Sequence, residues 1–302
     1  MLSINEIPFF MSKKIRVSNN LYSNDKYPTC FQVLCDDTYY KVRLSSRFNP
    51  YSILREYNAI KYLEKAGIMG QPQVIDVGIT QNYEDSYLVE SFVPGKTLDK
   101  YKDDEIEEYF LAIANSLYSY LIKIHNIKDR NFHSFIGDSY CSYQEMLMTH
   151  IKGHIKTIAS YDLKMAEQLS CIFKLFHQQK DKFKEIMPTF AHFDIKPQNI
   201  IFDRDTLQLV LIDYEYSRFA DPYHELIRAH MKAKKSPVFY QKLWAEVEYR
   251  YRQSIKEPPP IMTVIYQLYY YISDLPYQYR IRDTNEINCI SYLIQALEQG
   301  LS

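Results

Sequence analysis

Glycine is scarce in this chain, and its distribution excludes one kind of loop from the first part of the molecule. Only 7 of the 302 residues are glycine, and none lies between Met1 and Gly67. A glycine-rich loop, which lets the backbone approach a ligand closely, is therefore absent from this stretch. The turn Ser23-Asn24-Asp25-Lys26 is the candidate replacement, because Asn and Asp tolerate unusual backbone angles.

The cysteines, the net charge and the apolar runs exclude further classes of protein. The five cysteines form no CxxC pattern and are odd in number, so we expect no disulfide framework and a reducing, cytoplasmic setting. A net charge of -1 indicates neither a nucleic-acid partner nor a membrane partner. Lysine clusters such as Lys232–Lys235 are interpreted as solvated surface. No apolar run approaches a membrane span, and Ile7–Met11 is too short, and wrongly flanked, for a signal peptide.

Apolar periodicity predicts an α+β chain whose first third is rich in strands. Strands are predicted over residues 30–35, 39–44, 74–77 and 87–92, the first two forming a hairpin. Asn49 and Pro50 are typical of a helix start, as N-cap and first-turn residue, and this helix is expected to end near Ala66, before Gly67.

The remainder of the chain is predicted to be mainly helical. The predicted helices cover about 106–124, 142–158, 162–186, 222–234, 237–254, 261–273 and 286–298. One hairpin, over 200–213, is expected inside this helical part. With 302 residues and a hydrophobic fraction of 46%, the chain is long enough for one large domain or for two lobes that share a cleft.

The stretch from Ala191 to Leu226 carries most of the functional information. It contains an H-x-D-x-x-x-x-N motif, His192 to Asn199, and an aspartate, Asp213, at the end of the apolar run Leu209–Ile212. One carboxylate for a substrate hydroxyl, with an asparagine and a second carboxylate for magnesium, suits the transfer of a phosphoryl group.

Three polar residues of this stretch are interpreted as catalytic and metal-binding. Asp194 is the predicted catalytic base or orienting group for a hydroxyl nucleophile, the alternative being an ordinary turn aspartate. The predicted hairpin brings Asn199 and Asp213 to the same end, where their oxygens suit Mg²⁺. The alternative there is an asparagine cap followed by an aspartate at a strand end.

Three neighbouring residues are assigned supporting roles. His192 is predicted to hold the loop through its own hydrogen bonds. Lys196 is expected either to reach the transferred phosphate or to be exposed. Glu215 is expected either to assist a second cation or the substrate, or to be a solvated turn residue.

Glu56 is the least expected polar residue, because it falls on the apolar face of the helix that follows Pro50. An unpaired buried carboxylate is costly, so a cationic partner is predicted, and Arg43 on the preceding strand is the candidate. The pair would hold Arg43 against nucleotide phosphates. Lys41 lies on the same strand face and competes for this role. The alternative is a surface glutamate on an imperfectly amphipathic helix.

The 29 tyrosines allow two interpretations, an aromatic box for a cationic ligand and an ordinary apolar helix face. Residues 266 and 269–271, with Trp244, Tyr249 and Tyr251, contain the aromatic rings needed to enclose a cationic ligand. The preferred interpretation is an ordinary apolar helix face, because Val264, Leu268, Tyr271 and Leu275 share helical spacing.

Taken together, these motifs resemble the eukaryotic-protein-kinase-like fold, and specifically its aminoglycoside phosphotransferase/choline kinase branch. Tyr40–Leu44 resembles the strand that carries the phosphate-binding basic residue, with Arg43 in that position. Arg55–Tyr57 resembles the helix with the partner glutamate, and Glu90–Gly95 the hinge between lobes. The resemblance implies that the Ser91 carbonyl and the Val93 N–H bind adenine. Glu225 stands where the family often has an aspartate that supports the catalytic loop.

The resemblance implies a two-lobed α+β fold: a small β-rich N-lobe over residues 1–92, and a larger, mainly helical C-lobe over residues 93–302 with the catalytic loop 191–226. It implies transfer of the γ-phosphoryl of ATP, with Mg²⁺, to a hydroxyl of a small molecule such as an aminoglycoside, choline or a sugar. A monomer or homodimer is expected.

Two alternatives remain, a protein kinase and a catalytically weak kinase-fold binding module. Lys196-Pro197 favours the first, and the missing glycine loop favours the second. Against a protein substrate, Asp213-Tyr-Glu stands where protein kinases have Asp-Phe-Gly. Ala220-Asp221-Pro222 follows too soon to leave room for a long activation segment, and Gly95 lies 97 residues before His192, which leaves space for a helical insertion.

Overall fold

The computed structural model describes residues 3–11, 13–22, 29–46, 50–83, 85–170, 172–255 and 258–299. Its strands are β1 Ile15–Tyr22, β2 Thr29–Cys35, β3 Thr38–Ser46, β4 Val74–Ile79, β5 Asp85–Ser91, β6 Lys96–Thr97, β7 Phe132–Ser134, β8 Ser139–Tyr140, β9 Thr189–Ala191, β10 Ile200–Asp203, β11 Gln208–Leu211 and β12 Arg218–Ala220. Its helices are α1 Tyr51–Lys65, α2 Asp103–Ile106, α3 Phe110–His125, α4 Tyr143–Ala159, α5 Leu163–Leu169, α6 Ile172–Gln178, α7 Lys180–Phe183, α8 Pro222–Ala233, α9 Val238–Ser254, α10 Pro260–Ile281 and α11 Thr284–Gln299. Short 3-10 helices cover Ser3–Glu6, Pro8–Phe10, Leu98–Lys100, Glu107–Tyr109, Pro197–Asn199 and Tyr214–Tyr216.

The first part of the chain forms an antiparallel sheet in the order β1-β2-β3-β5-β4. The predicted β2–β3 hairpin is present, and its two turn residues, Asp36 and Asp37, have φ of 47° and 62°, as a tight two-residue turn requires. α1 crosses from β3 to β4 and is followed by Gly67 at φ +75°. The proposed N-cap Asn49 and the turn Ser23–Lys26 lie outside the described residues.

The apolar residues of this part divide between two clusters. A small cluster joins the N-terminal Ile4, Ile7 and Phe10 to one face of the sheet. The inner face of α1 does not belong to it: Ala59, Ile60 and Leu63 are buried in the larger cluster that fills the helical part of the molecule. α1 is therefore packed mainly against the helical part.

The remainder is mainly helical, as predicted, with two differences. The single helix predicted over 162–186 is three helices, α5 to α7. The Ser170 hydroxyl donates to the Ala166 carbonyl at 3.0 Å where α5 ends, which offers the backbone an alternative to a further helical turn. In contrast, α10 runs beyond the predicted residue 273 and through Pro276, because its buried face continues to Leu275.

Two small sheets lie inside the helical part and frame the catalytic loop. β10 and β11 form the predicted hairpin, and β6 pairs with β10. The other sheet, in the order β8-β7-β12-β9, was not predicted, because its strands have two or three residues, too few to show a period. Since β9 ends at Ala191 and β12 begins at Arg218, this sheet fixes both ends of the loop that contains Asp194.

None of the helices formed by the described residues combines the length and the apolar character needed to cross a lipid bilayer.

Candidate active site

His192 holds the start of the catalytic loop through both ring nitrogens, in keeping with its predicted role. Nδ1 accepts a hydrogen bond from the Asp194 backbone N–H at 3.2 Å, and Nε2 donates to the Ile212 carbonyl at 3.0 Å. This pattern requires a neutral imidazole with its proton on Nε2. The ring is fully buried, so it has no access to a substrate.

Phe193 places the loop in an unusual backbone conformation, with φ of +66°. Both of its peptide groups are held by charged side chains of α8. Its N–H donates to Glu225, and its carbonyl accepts from Arg228 Nε at 2.8 Å. Glu225 is itself fixed by His125 Nε2 at 2.5 Å. Strained backbone of this kind persists only where the surroundings hold it, and here α8 supplies that support.

The predicted base Asp194 lies at the centre of a dense set of polar contacts. Asn199 Nδ2 donates to its Oδ2 at 2.8 Å and to its carbonyl at 2.9 Å. Lys196 Nζ lies 2.7 Å from Oδ2, and Lys232 donates to Oδ1. Burial by itself raises the pKa of Asp194, but Lys232 and Lys196 outweigh it and hold the pKa well below its usual range. The carboxylate therefore stays ionised at neutral pH.

Lys232 corrects the interpretation of Lys232–Lys235 as solvated surface. Its side chain is 17% exposed and points to Asp194. Burial lowers the pKa of Lys232 to about 8, and Arg228 adds to this effect while Asp194 opposes it. Only Lys234 and Lys235 of the cluster are exposed. Glu225, Arg228 and Lys232 are spaced i, i+3 and i+7, which places them on one face of α8. That spacing is a signal in the sequence that groups Arg228 and Lys232 with Glu225, but it does not show which residues they contact.

The hairpin brings Asn199 and Asp213 to the same end, as its sequence predicts. Ile200 pairs with Leu211, and the Ile212 N–H donates to the Asn199 carbonyl at 3.0 Å. Asp213 has a left-handed backbone with φ of 67°, which turns the chain sharply at the strand end. Its side chain remains 28% exposed, and one of its oxygens lies 3.3 Å from Arg43 Nη1.

Arg43 of β3 contacts three carboxylates. It forms a buried ion pair with Glu56 of α1 and a second ion pair with Glu215, and its Nη1 lies 3.3 Å from Asp213 Oδ1. Burial raises the pKa of Glu56, but Lys41 and Arg43 reverse this effect and keep it below its ordinary value. The pairing of Arg43 with Glu56 agrees with the prediction from the sequence, and Glu215 is not a solvated turn residue.

Lys41, the competitor of Arg43, pairs with a different carboxylate. Its Nζ lies 2.8 Å from Glu90 Oε2 and 3.8 Å from Glu56 Oε1. Burial raises the pKa of Glu90 to about 7, opposed by Lys41 and increased by Glu56. Ser91 ends β5, and Val93 follows it in the segment that leads to β6, so both predicted adenine contacts come directly after Glu90 in the chain.

The tyrosine-rich residues do not line one aromatic box. Trp244 and Tyr251 are 1% exposed within the large cluster, whereas Tyr249 is 62% exposed. Tyr266 is buried and donates to Asp221. The preferred interpretation, an apolar helix face, agrees with this packing.

The family model described as the phosphotransferase enzyme family matches residues 29–257, most of the chain. The chain belongs to this family. No curated protein sequence matches it. As a phosphotransferase of this family it is classed as a small-molecule kinase, and the resemblance inferred from its motifs is confirmed.

Solved structures show that this phosphotransferase has the predicted α+β, protein-kinase-like fold. A thermostable mutant of aminoglycoside phosphotransferase APH(4)-Ia, in ternary complex with AMP-PNP and hygromycin B, matches with a TM-score of 0.74 and 14% identity over 98% of each chain. Aminoglycoside phosphotransferase APH(2'')-Ib bound to ADP gives a TM-score of 0.67 and 19% identity over 92% of each chain. A protein assigned as a fructosamine-3-kinase, from Haemophilus somnus, gives a TM-score of 0.67 and 14% identity over 94% of this chain and 92% of that chain. At sequence identities this low, the similarity to these structures shows a shared fold and no more.

Proposed function

We propose that this phosphotransferase moves the γ-phosphoryl group of ATP, with Mg²⁺, to a hydroxyl of a small molecule. The observation that carries the proposal is the convergence of Asp194, Asn199 and Asp213 with the Arg43–Glu56 pair, although these residues come from separate parts of the chain. Related structures bind AMP-PNP and hygromycin B, or ADP, which supports a nucleotide and a small hydroxyl compound as the two substrates.

In the proposed reaction Asp194 orients the acceptor hydroxyl. The hydroxyl oxygen forms a bond to the γ-phosphorus, the bond from that phosphorus to the bridging oxygen of ADP breaks, and the hydroxyl proton passes to the Asp194 carboxylate. The low pKa of Asp194 makes it a weak base, so its main contribution is position and charge. Lys196, one-third exposed beside it, is suited to contact the transferred phosphate.

The residues at the hairpin end fit a magnesium ion. Asp213 supplies carboxylate oxygens, and Asn199 directs its Nδ2 to Asp194, which leaves its amide oxygen for a cation. The described residues contain no cluster of three or more His, Cys, Asp or Glu suited to a metal. Mg²⁺ takes one or two protein ligands beside substrate phosphates and waters, so Asp213 and Asn199 would be sufficient to hold it. When bound, the ion would neutralise phosphate charge, and Glu215 is the candidate for a further contact.

The nucleotide would lie between the sheet and the helical part. Arg43, braced by Glu56, is proposed to hold its phosphates, and the Ser91 carbonyl and Val93 N–H to bind adenine. The proposed division into an N-lobe over residues 1–92 and a C-lobe over residues 93–302 places this cleft at the β5–β6 connection. Lys41 and Glu90 would stabilise the hinge side of the cleft by their ion pair.

A small acceptor is favoured over a peptide by the segment that follows Asp213. It consists of the 3-10 helix Tyr214–Tyr216 and β12, and α8 begins at Pro222. Of the residues from Tyr214 to Pro222 only Tyr216 is exposed, and β12 is paired on both sides by β7 and β9. The segment therefore offers no edge to an extended peptide.

The first prediction separates nucleotide binding from catalysis. A thermal-shift titration with ATP and Mg²⁺ is expected to stabilise the protein, because ligands stabilise the state that they bind. Asp194→Asn is expected to abolish turnover and to keep this stabilisation, since Asp194 faces the acceptor and not the nucleotide base. Acceptors would be screened by coupled ATP consumption over aminoglycosides, choline, ethanolamine, macrolides and sugars.

Two results would contradict the proposal. Absence of stabilisation at millimolar ATP with Mg²⁺ would indicate a kinase-fold protein that no longer binds nucleotide. An Asp194→Asn variant as active as the parent would remove Asp194 from the reaction.

A further inference from the structure

A cavity of about 480 Å³ lies beside the catalytic loop. It is bounded by α1, by the segment from Ser134 to Tyr140, by α4 and by Tyr269 of α10. Arg55 and Arg218 line it from two different elements. Its volume is that of a small-molecule site.

The fixed charge of this cavity is positive. Within the described part of the chain, neither Arg55 nor Arg218 forms an ion pair with a carboxylate, and the buried Arg55 Nε has no hydrogen-bond partner. Burial and Arg218 lower the pKa of His150 to about 3 and that of His154 to about 4, so both lining histidines are neutral. Asp138 is the one acidic residue in the lining.

Arg218 brings the cavity close to Asp194, because its guanidinium group lies against Phe193, the residue that precedes Asp194. The guanidinium carbon of Arg218 lies 4.4 Å from the centre of the Phe193 ring, and that of Arg228 lies 5.8 Å from the same ring. Lys232, one turn further along α8, reaches Asp194 itself. Among the described residues Arg228 has no carboxylate partner either. Arg218, Arg228 and Lys232 thus surround Phe193 and Asp194 with positive charge.

We propose that the acceptor of this phosphotransferase is anionic: a hydroxyl compound that carries a phosphate or carboxylate group, which Arg55 and Arg218 bind while its hydroxyl faces Asp194. The guanidinium group matches such anions with paired hydrogen bonds. Partly buried cations without carboxylate partners gain most from a ligand of opposite charge. A polycationic aminoglycoside would instead meet like charges. The inference rests on the proposed phosphoryl transfer and narrows its acceptor class.

The test compares matched ligands with the nucleotide site filled by AMP-PNP and Mg²⁺, so that phosphate-bearing probes cannot bind there. The probes are inorganic phosphate, glucose 6-phosphate, gluconate, glucose and hygromycin B, measured by thermal shift and by titration calorimetry. We expect the anionic probes to bind more tightly than glucose or hygromycin B. Comparison of glucose 6-phosphate with gluconate distinguishes a phosphate ligand from a carboxylate ligand.

Variants locate the binding. Arg55→Gln and Arg218→Gln are each expected to weaken binding of the anionic probes by about 10- to 100-fold, the loss typical of a charged hydrogen bond. Arg280→Gln removes an exposed arginine near the end of α10 and serves as the matched control, with unchanged binding expected. Arg55→Gln is the variant with the least structural risk, because its guanidinium group holds no described backbone group.

The outcomes separate this inference from the proposed function. Tighter binding of hygromycin B or glucose than of every anionic probe, or anion binding that survives both Arg55→Gln and Arg218→Gln, overturns the anionic acceptor. If the unmodified protein does not bind AMP-PNP with Mg²⁺, that result contradicts the proposed function and not the acceptor class. Failure of all anionic probes to bind while AMP-PNP binds also overturns the inference.

Discussion

Asp194 is held more firmly than a free catalytic base needs to be. Its two oxygens contact Asn199, Lys196 and Lys232, which come from two separate elements. An acceptor hydroxyl would have to use the remaining acceptor positions of the carboxylate. We therefore propose that Lys232 is a positioning residue, which would fix the direction in which Asp194 meets the proposed acceptor.

Lys232→Gln is expected to lower kcat by about 10- to 100-fold and to change the KM for ATP by less than about twofold. The physical reason is the loss of a charge-assisted hydrogen bond, worth about 1.5–3 kcal/mol, that is made to Asp194 and not to the nucleotide. Steady-state kinetics with varied ATP, on an acceptor identified by coupled ATP consumption, whether neutral, cationic or anionic, would measure both constants.

Lys234→Gln is the matched control, because Lys234 lies two residues away, is exposed and forms the C-cap of α8. Lys232→Arg should restore part of kcat, since it keeps a cation beside Asp194. Equal kcat values for Lys232→Gln and Lys234→Gln would refute the positioning role.

The local motifs of the site could be identified from the sequence, whereas its long-range partners could not. Asp194, Asn199 and Asp213 stand in one stretch with fixed spacing, so their proximity follows from a loop and a hairpin. Arg228 and Lys232 were missed because their contacts with Phe193 and Asp194 depend on how α8 packs. Only a tertiary contact distinguishes Lys232 from its solvated neighbours.

At the scale of elements, Gly95 joins the sheet to the helical part through a very close backbone contact. Its φ is +103°, and a Cβ at this position would lie 2.5 Å from the Phe202 carbonyl oxygen of β10. Gly95→Ala is therefore expected to destabilise the protein by about 2–3 kcal/mol, from backbone strain and from displacement of the β6–β10 pairing. Urea denaturation followed by circular dichroism would measure the change.

Gly153→Ala provides the control for this prediction. Gly153 lies within α4, and a Cβ there would meet no atom within 4 Å. Because alanine favours a helix interior over glycine, this variant should be unchanged or more stable by up to about 1 kcal/mol. A Gly95→Ala variant as stable as the parent would show that the β6–β10 contact can relax without cost.

The elements that the sequence predicted correctly share a strong local signal. The β2–β3 hairpin has two alternating runs and an Asp36-Asp37 turn, and α1 ends before Gly67 at positive φ. Predictions of secondary structure were wrong where tertiary packing overrides the local sequence pattern. α10 continues through Pro276 because Leu275 is fully buried, and the sheet that contains β9 and β12 has strands too short to be seen in a sequence.

For the whole molecule, α1 connects the two parts of the proposed nucleotide cleft. Glu56 on this helix pairs with Arg43 of the sheet, whereas Ala59, Ile60 and Leu63 are buried in the large cluster of the helical part. The proposed lobe boundary between residues 92 and 93 therefore lies in the connection between β5 and β6. It does not separate the packing, because α1 precedes the boundary and packs against residues that follow it. Arg43, through Glu215 and Asp213, links the sheet to the hairpin of the helical part as well.

Substitution of two fully buried leucines can show whether the small and the large hydrophobic clusters unfold separately. Leu44 belongs to the small cluster and Leu63 to the large one. Truncation of either to alanine is expected to cost about 2–5 kcal/mol. Because regions of a protein open with different free energies, Leu44→Ala should accelerate amide hydrogen exchange about 30-fold or more in β2, β3 and β5 and leave α3 nearly unchanged. Leu63→Ala should accelerate exchange in α1 and α3 together. Hydrogen-exchange mass spectrometry of both variants would measure the exchange rate in each element.

A different outcome would contradict this prediction. If both variants accelerated exchange uniformly throughout the chain, the two clusters would unfold as one unit.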